Sequence, residues 1–97
     1  LNGNYRISLR TPLGVQNGII TFVNKEGALS GSIRAMGNVS FFRNGKIDGN
    51  RFEFSGILNA GLLNLKYTAQ GVVDGEKLQV TAVTSYGTFL IVGTKTV

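Results

Sequence analysis

Leu63-Asn64-Leu65-Lys66-Tyr67-Thr68-Ala69-Gln70 is followed, after Asp74-Gly75-Glu76, by Lys77-Leu78-Gln79-Val80-Thr81-Ala82. In both runs apolar and polar side chains alternate one for one. That is the period of a β-strand with one face buried and one face wet. Between them, Asp74-Gly75 is a residue pair that favours a tight hairpin turn. The two runs therefore read as antiparallel neighbours that point Leu63, Leu65, Tyr67, Ala69, Leu78, Val80 and Ala82 to one side.

Working outward, the same grammar repeats along the chain. Tyr5, Ile7 and Leu9 alternate with Arg6, Ser8 and Arg10, and Leu29, Gly31, Ile33 and Ala35 alternate with Ser30, Ser32 and Arg34. Phe52 and Phe54 flank Glu53. Turn signals fall at 11–14, 24–27, 36–38, 48–50, 59–61, 74–76 and 85–87, where Pro, Gly, Asn and Asp gather. Seven turns predict eight strands, at 3–10, 15–24, 28–35, 39–47, 51–58, 62–73, 77–84 and 88–95. No stretch carries a helical apolar stripe over ten residues. Short sequential strands joined by tight turns predict an all-β, eight-stranded antiparallel up-and-down barrel, because closure removes the exposed edges of an open sheet. The 97 residues leave no room for a second core, so residues 1–97 are expected to form one domain.

Composition narrows the chemistry. There is no Cys and no His, so Cys/His zinc sites, Cys nucleophiles and Ser-His-Asp triads are excluded. Four of the five acids (Glu26, Asp48, Asp74 and Glu76) sit in turns, and Glu53 faces outward. No carboxylate pair is spaced for acid–base work, so an enzyme is not expected. No cofactor is expected either. Ten Lys and Arg give a net charge of +5. Arg6, Arg10, Arg34 and Lys66 fall on the outward parity, but the aromatics fall on the opposite one, which argues against a nucleic-acid surface. The longest apolar stretches, such as 87–92, are far short of the roughly 20 residues that span a bilayer, so no membrane partner is expected. The first residue is Leu1 rather than Met, which suggests a processed chain or a piece of a longer one.

Parity assigns an inside: Tyr5, Ile7, Leu9, Ile20, Phe22, Leu29, Ile33, Phe41, Ile47, Phe52, Phe54, Leu58, Leu63, Leu65, Tyr67, Leu78, Val80, Phe89 and Ile91. The adjacent pair Phe41-Phe42 cannot both point inward unless a bulge intervenes between 39 and 46. Gly31, Ala35, Ala69, Gly71, Ala82 and Gly93 share the inward parity. They either leave a cavity or let a tightly curved sheet close. Alternate turns fall at the same end of a meander. The turns at 24–27, 48–51 and 74–77 carry charge, whereas those at 11–14, 36–38, 59–62 and 85–87 carry none. The uncharged end is the expected entry for a small apolar ligand, with Leu13, Met36, Asn38, Leu62 and Tyr86 at its rim and Tyr5, Ile33, Ala35, Phe54, Tyr67 and Phe89 within. On the outside, Val83, Leu90 and Val92 cluster on the last hairpin and suggest a homo-oligomer interface. A structural or interaction module is the alternative reading.

Residues 24–38, Asn24-Lys25-Glu26-Gly27-Ala28-Leu29-Ser30-Gly31-Ser32-Ile33-Arg34-Ala35-Met36-Gly37-Asn38, resemble the second hairpin of the avidin/streptavidin family. There an acidic residue-Gly-x-Leu-Ser/Thr-Gly run enters the third strand. A similar run occurs in small lipocalin-like bacterial barrels. The resemblance implies an eight-stranded barrel with a ligand in its mouth, often tetrameric. The family's biotin contacts do not carry over: Ile33 and Ala35 stand where a tyrosine and a serine are expected, only Asn38 matches, and there is no Trp for the stacking positions.

Overall fold

The computed structural model describes residues 1–11, 14–35, 37–60 and 63–96. Eight strands follow in order: β1 (Gly3–Thr11), β2 (Gly14–Lys25), β3 (Ala28–Ala35), β4 (Asn38–Asp48), β5 (Arg51–Ala60), β6 (Leu63–Asp74), β7 (Lys77–Thr84) and β8 (Gly87–Lys95). Each pairs antiparallel with its neighbour in sequence, and β1 pairs with β8 from Tyr5 opposite Lys95 to Arg10 opposite Leu90. The sheet is a closed barrel, with no helix among the described residues.

Turn chemistry sets the register. Glu26 and Gly27 both have positive φ, 54° and 87°, the signature of the hairpin turn whose twist matches the flanking strands. The Gly27 N–H donates to the Asn24 side-chain oxygen at 3.0 Å, which holds the turn against β2. Glu26 adopts this conformation without the short polar side chain that eases it.

The core is aromatic at its centre. Phe22 meets Tyr5, Phe42, Phe52 and Phe54 edge-on, with ring centroids 5.5–5.8 Å apart. Phe42 stacks on Phe54 at 4.2 Å. Leu1, Ile47 and Val73 pack against this core from the end that carries the charged turns. There the Asn24 N–H donates to the Asn2 side chain, and the Thr96 N–H donates to the Asn4 carbonyl.

One inward assignment is corrected. Phe41 is 73% exposed and Phe42 is buried. Ile33 points inward and lies opposite Ser40, so alternation along β4 sends Ser40 and Phe42 inside. Phe42 lies opposite Gly31, where a Cβ would sit 2.9 Å from the Phe42 ring and collide with the Thr21 carbonyl. The expected bulge is present. Between Arg43 and Lys46 the register with β5 shifts, and Asn44 takes φ 61°. The extra residue switches the inward parity, so that Gly45 and then Ile47 turn toward the core. The Leu63 side chain lies outside the described residues.

Phe42→Ala is expected to cost about 3–5 kcal/mol in urea unfolding, and Phe41→Ser to stay within about 0.5 kcal/mol of the parent. Glu26→Asn, which places Asn-Gly in the turn, is expected to raise stability by about 0.5–1 kcal/mol in the same measurement.

Candidate functional site

Parity predicts six ligand-lining residues, and all of them are buried: Tyr5, Ile33, Ala35, Phe54, Tyr67 and Phe89. They do not form one cluster. Ala35 ends β3, Phe89 is the third residue of β8, and Tyr67 lies opposite Thr84 at the end of β7, so these three lie toward the uncharged turns. Tyr5 lies the other way. It is separated from Tyr67 by the rings of Phe22 and Phe54 in the chain of edge contacts. Burial, and to a lesser extent the Glu76 carboxylate, raises the Tyr5 phenol above its ordinary value.

Tyr67 is the distinctive member. It is 5% exposed, and its hydroxyl is buried with no hydrogen-bond partner. Burial alone pushes its ionisation well above the ordinary 10.0, so the phenol keeps its proton. Gly56 makes the slot: a Cβ there would lie 3.0 Å from the Tyr67 hydroxyl. Leaving such a group unmatched costs about 1–3 kcal/mol. Ser40 is the other buried polar side chain near this end, and alternation had not marked it. Its Oγ accepts the Asn59 N–H at 2.9 Å and is therefore satisfied. Ala82, a small buried residue of β7, lies opposite Ala69 and Phe89.

The inward glycines do not open a cavity where they stand. A Cβ at Gly71 would meet the Phe52 ring at 2.5 Å, and one at Gly93 would meet Ile7 at 3.0 Å and Leu78 at 3.1 Å. Two hollows lie on the outer wall instead. One, of about 670 Å³, is lined by Lys46, Arg51, Glu53, Gln70 and Gln79 among others. The second, of about 490 Å³, lies between β1, β7 and β8 and is bordered by Arg6, Lys77 and Thr94.

At the rim, Asn38 is half-buried and Tyr86 is 60% exposed, while Leu13, Met36 and Leu62 lie outside the described residues. Val83, Leu90 and Val92 are all exposed on the outer face of β7 and β8. Leu90 lies opposite Thr81 and Val92 opposite Gln79. The outward turn of Phe41 also puts an aromatic ring on the same outer face as Arg43, against the expected parity.

No family model and no curated protein matches the chain. Among solved structures it is similar to a redesigned beta barrel, mFAP1, bound to DFHBI, with a TM-score of 0.74 and 14% identity over 99% of this chain and 94% of that one. At that identity the likeness is one of fold: a small eight-stranded antiparallel barrel that resembles a ligand-binding barrel. The avidin/streptavidin and lipocalin resemblance at residues 24–38 is carried by no family match.

Because the folded phenol ionises above 10.0 and the unfolded one near it, the contribution of Tyr67 to stability is intact below pH 10 and declines as pH rises beyond it. The decline is at most about 1.4 kcal/mol per pH unit for one group. Tyr67→Phe is expected to flatten the loss of stability between pH 10 and 11.5, as read by denaturant midpoints. Tyr5 supplies a residual slope.

Proposed function

We propose that the protein is a non-enzymatic barrel that takes one small, apolar, uncharged ligand at the end bearing the uncharged turns, with the Tyr67 hydroxyl as its single polar contact. The carrying observation is that hydroxyl: buried, protonated, and without a partner. A ligand offering one acceptor atom would satisfy it and regain the free energy that its burial costs. Ala35 and Ala82 keep side-chain bulk low toward the uncharged turns, and Phe54 meets the Tyr67 ring edge-on at 5.9 Å. Pockets of this type place one or two polar groups in an otherwise apolar lining. Support from the fold comes from its likeness to a barrel that was solved with DFHBI bound.

The test is a thermal-shift and calorimetric screen of planar apolar compounds that carry one hydrogen-bond acceptor, DFHBI included. At least one compound is expected to raise the melting temperature of the parent protein. Tyr67→Phe is expected to do two opposite things. It stabilises the ligand-free protein by about 1 kcal/mol and weakens the bound compound about fivefold to tenfold. A variant that is destabilised without ligand, or that binds every compound as the parent does, would remove the reading.

A second reading, self-association through β7 and β8, is favoured by the adjacent exposed Val83, Leu90 and Val92. Sedimentation at micromolar concentration distinguishes it: a monomer mass ends it.

A further inference from the structure

The net charge is not spread evenly. All five acids lie toward one end: Glu26 and Glu76 in turns, Asp48 and Asp74 closing β4 and β6, and Glu53 near the start of β5. Lys25, Lys46, Arg51, Lys77 and Lys95 lie with them and cancel them. The surplus is therefore carried by Arg6 and Arg43 near the waist and by Arg10, Arg34 and Lys66 toward the other end, the end at which Tyr67 is buried.

Exposed apolar side chains favour that same end. Of the large ones, only Val23, Val72 and Val92 lie nearer the acidic end. The register interleaves the rest with the cations. Arg10 lies between Val15 and Leu90 across the strands, Arg34 lies opposite Val39, and Lys66 lies opposite Ile57. With Val83 on β7, every strand offers either a cation or an exposed aliphatic side chain to the outer wall near this end. The result is an acid-free ring, with exposed Tyr86 in the β7–β8 turn beyond it.

We propose that this end of the barrel docks end-on against an anionic lipid bilayer surface. A ring of aliphatics and cations matches a plane whose headgroups are negative and whose interior is apolar. Aliphatics and Tyr enter the interface, while Arg and Lys stems lie along it with their charges at the headgroups. A linear polyanion would need a one-sided track, and these cations are distributed around the circumference on β1, β3 and β6. The expectation of no membrane partner rested on the length needed to span a bilayer. Docking on the surface has no such requirement. The proposal does not depend on an interior ligand.

The experiment is flotation of the full chain with vesicles of phosphatidylcholine containing 30% phosphatidylglycerol, in parallel with pure phosphatidylcholine vesicles and a fluorescent oligo-dT. The protein is expected to float with the anionic vesicles at low salt and to be released as salt rises. The triple variant Arg10→Gln, Arg34→Gln, Lys66→Gln is expected to bind on the order of a hundredfold more weakly, at about fivefold per cation. Lys25→Gln with Lys77→Gln, at the acidic end, is expected to float like the parent. All these cations are outward and exposed, so the charge variants are expected to fold, with melting curves that match the parent as the check. Absence of the parent from the anionic vesicles at low salt would overturn the proposal. Equal loss in the two charge variants, or tighter binding to oligo-dT than to the vesicles, would do the same. Failure here with a normal Tyr67→Phe result in the ligand screen would leave the interior reading intact.

Discussion

Closure governs this molecule. Six pairs between β1 and β8, from Tyr5–Lys95 to Arg10–Leu90, join the ends of the chain's sheet and leave no edge strand. Once the sheet is a tube, the face of every strand is fixed relative to every other. A single-residue slip anywhere would turn one strand's apolar set out to water. This is why Phe22 can serve as a hub for four rings contributed by β1, β4 and β5. The hub in turn holds the strands at the separations that closure needs.

The interior is built on complementary vacancies. Gly31 yields to Phe42, Gly71 to Phe52, and Gly93 to Ile7 and Leu78. In each of these the filler is hydrocarbon, and the match costs nothing in unmet polarity. Gly56 yields to Tyr67, and there the filler ends in a hydroxyl. Dense packing and full hydrogen bonding are separate requirements. Among the described residues, the Tyr67 hydroxyl is the one buried side-chain polar atom that lacks a hydrogen-bond partner. A Phe would fill nearly the same volume and remove the cost, so the hydroxyl is the feature that packing alone does not explain.

Most of the architecture was legible in the sequence because alternation and turn residues act locally. Strand count, strand order and the β1–β8 seam follow from periods of two and seven turn signals. The misassignment of Phe41 shows where this reasoning fails. The two parities of β4 offer Val39 with Phe41 or Ser40 with Phe42, each with one Phe, and the register with β3 sends Ser40 and Phe42 inward. Two signals pointed the right way. Glycine at 31 offers space only to a large partner, and a bulge in β4 lets Ile47 return inside after Phe42. The burial of Tyr67 followed from parity, but its missing partner did not. Whether a buried hydroxyl finds a donor or acceptor depends on strands far apart in sequence. Ser40 finds the Asn59 N–H nineteen residues away, and Tyr67 finds none.

The two ends of the barrel differ in kind. At one, Leu1, Ile47 and Val73 pack under the core, and Asn2 and Thr96 are tied to β2 and β1 by hydrogen bonds. Acids and bases balance on the wall around them. At the other, the surplus of positive charge, most of the exposed aliphatic surface and the unmatched Tyr67 hydroxyl coincide. The two proposals drawn from these features rest on different atoms, one inside the wall and one outside it, yet they make a consistent pair. An apolar molecule is scarce in water and concentrated in a bilayer. A barrel whose open chemistry and membrane-facing surface share one end would receive such a molecule without first passing it through bulk solvent, where its transfer is least favourable.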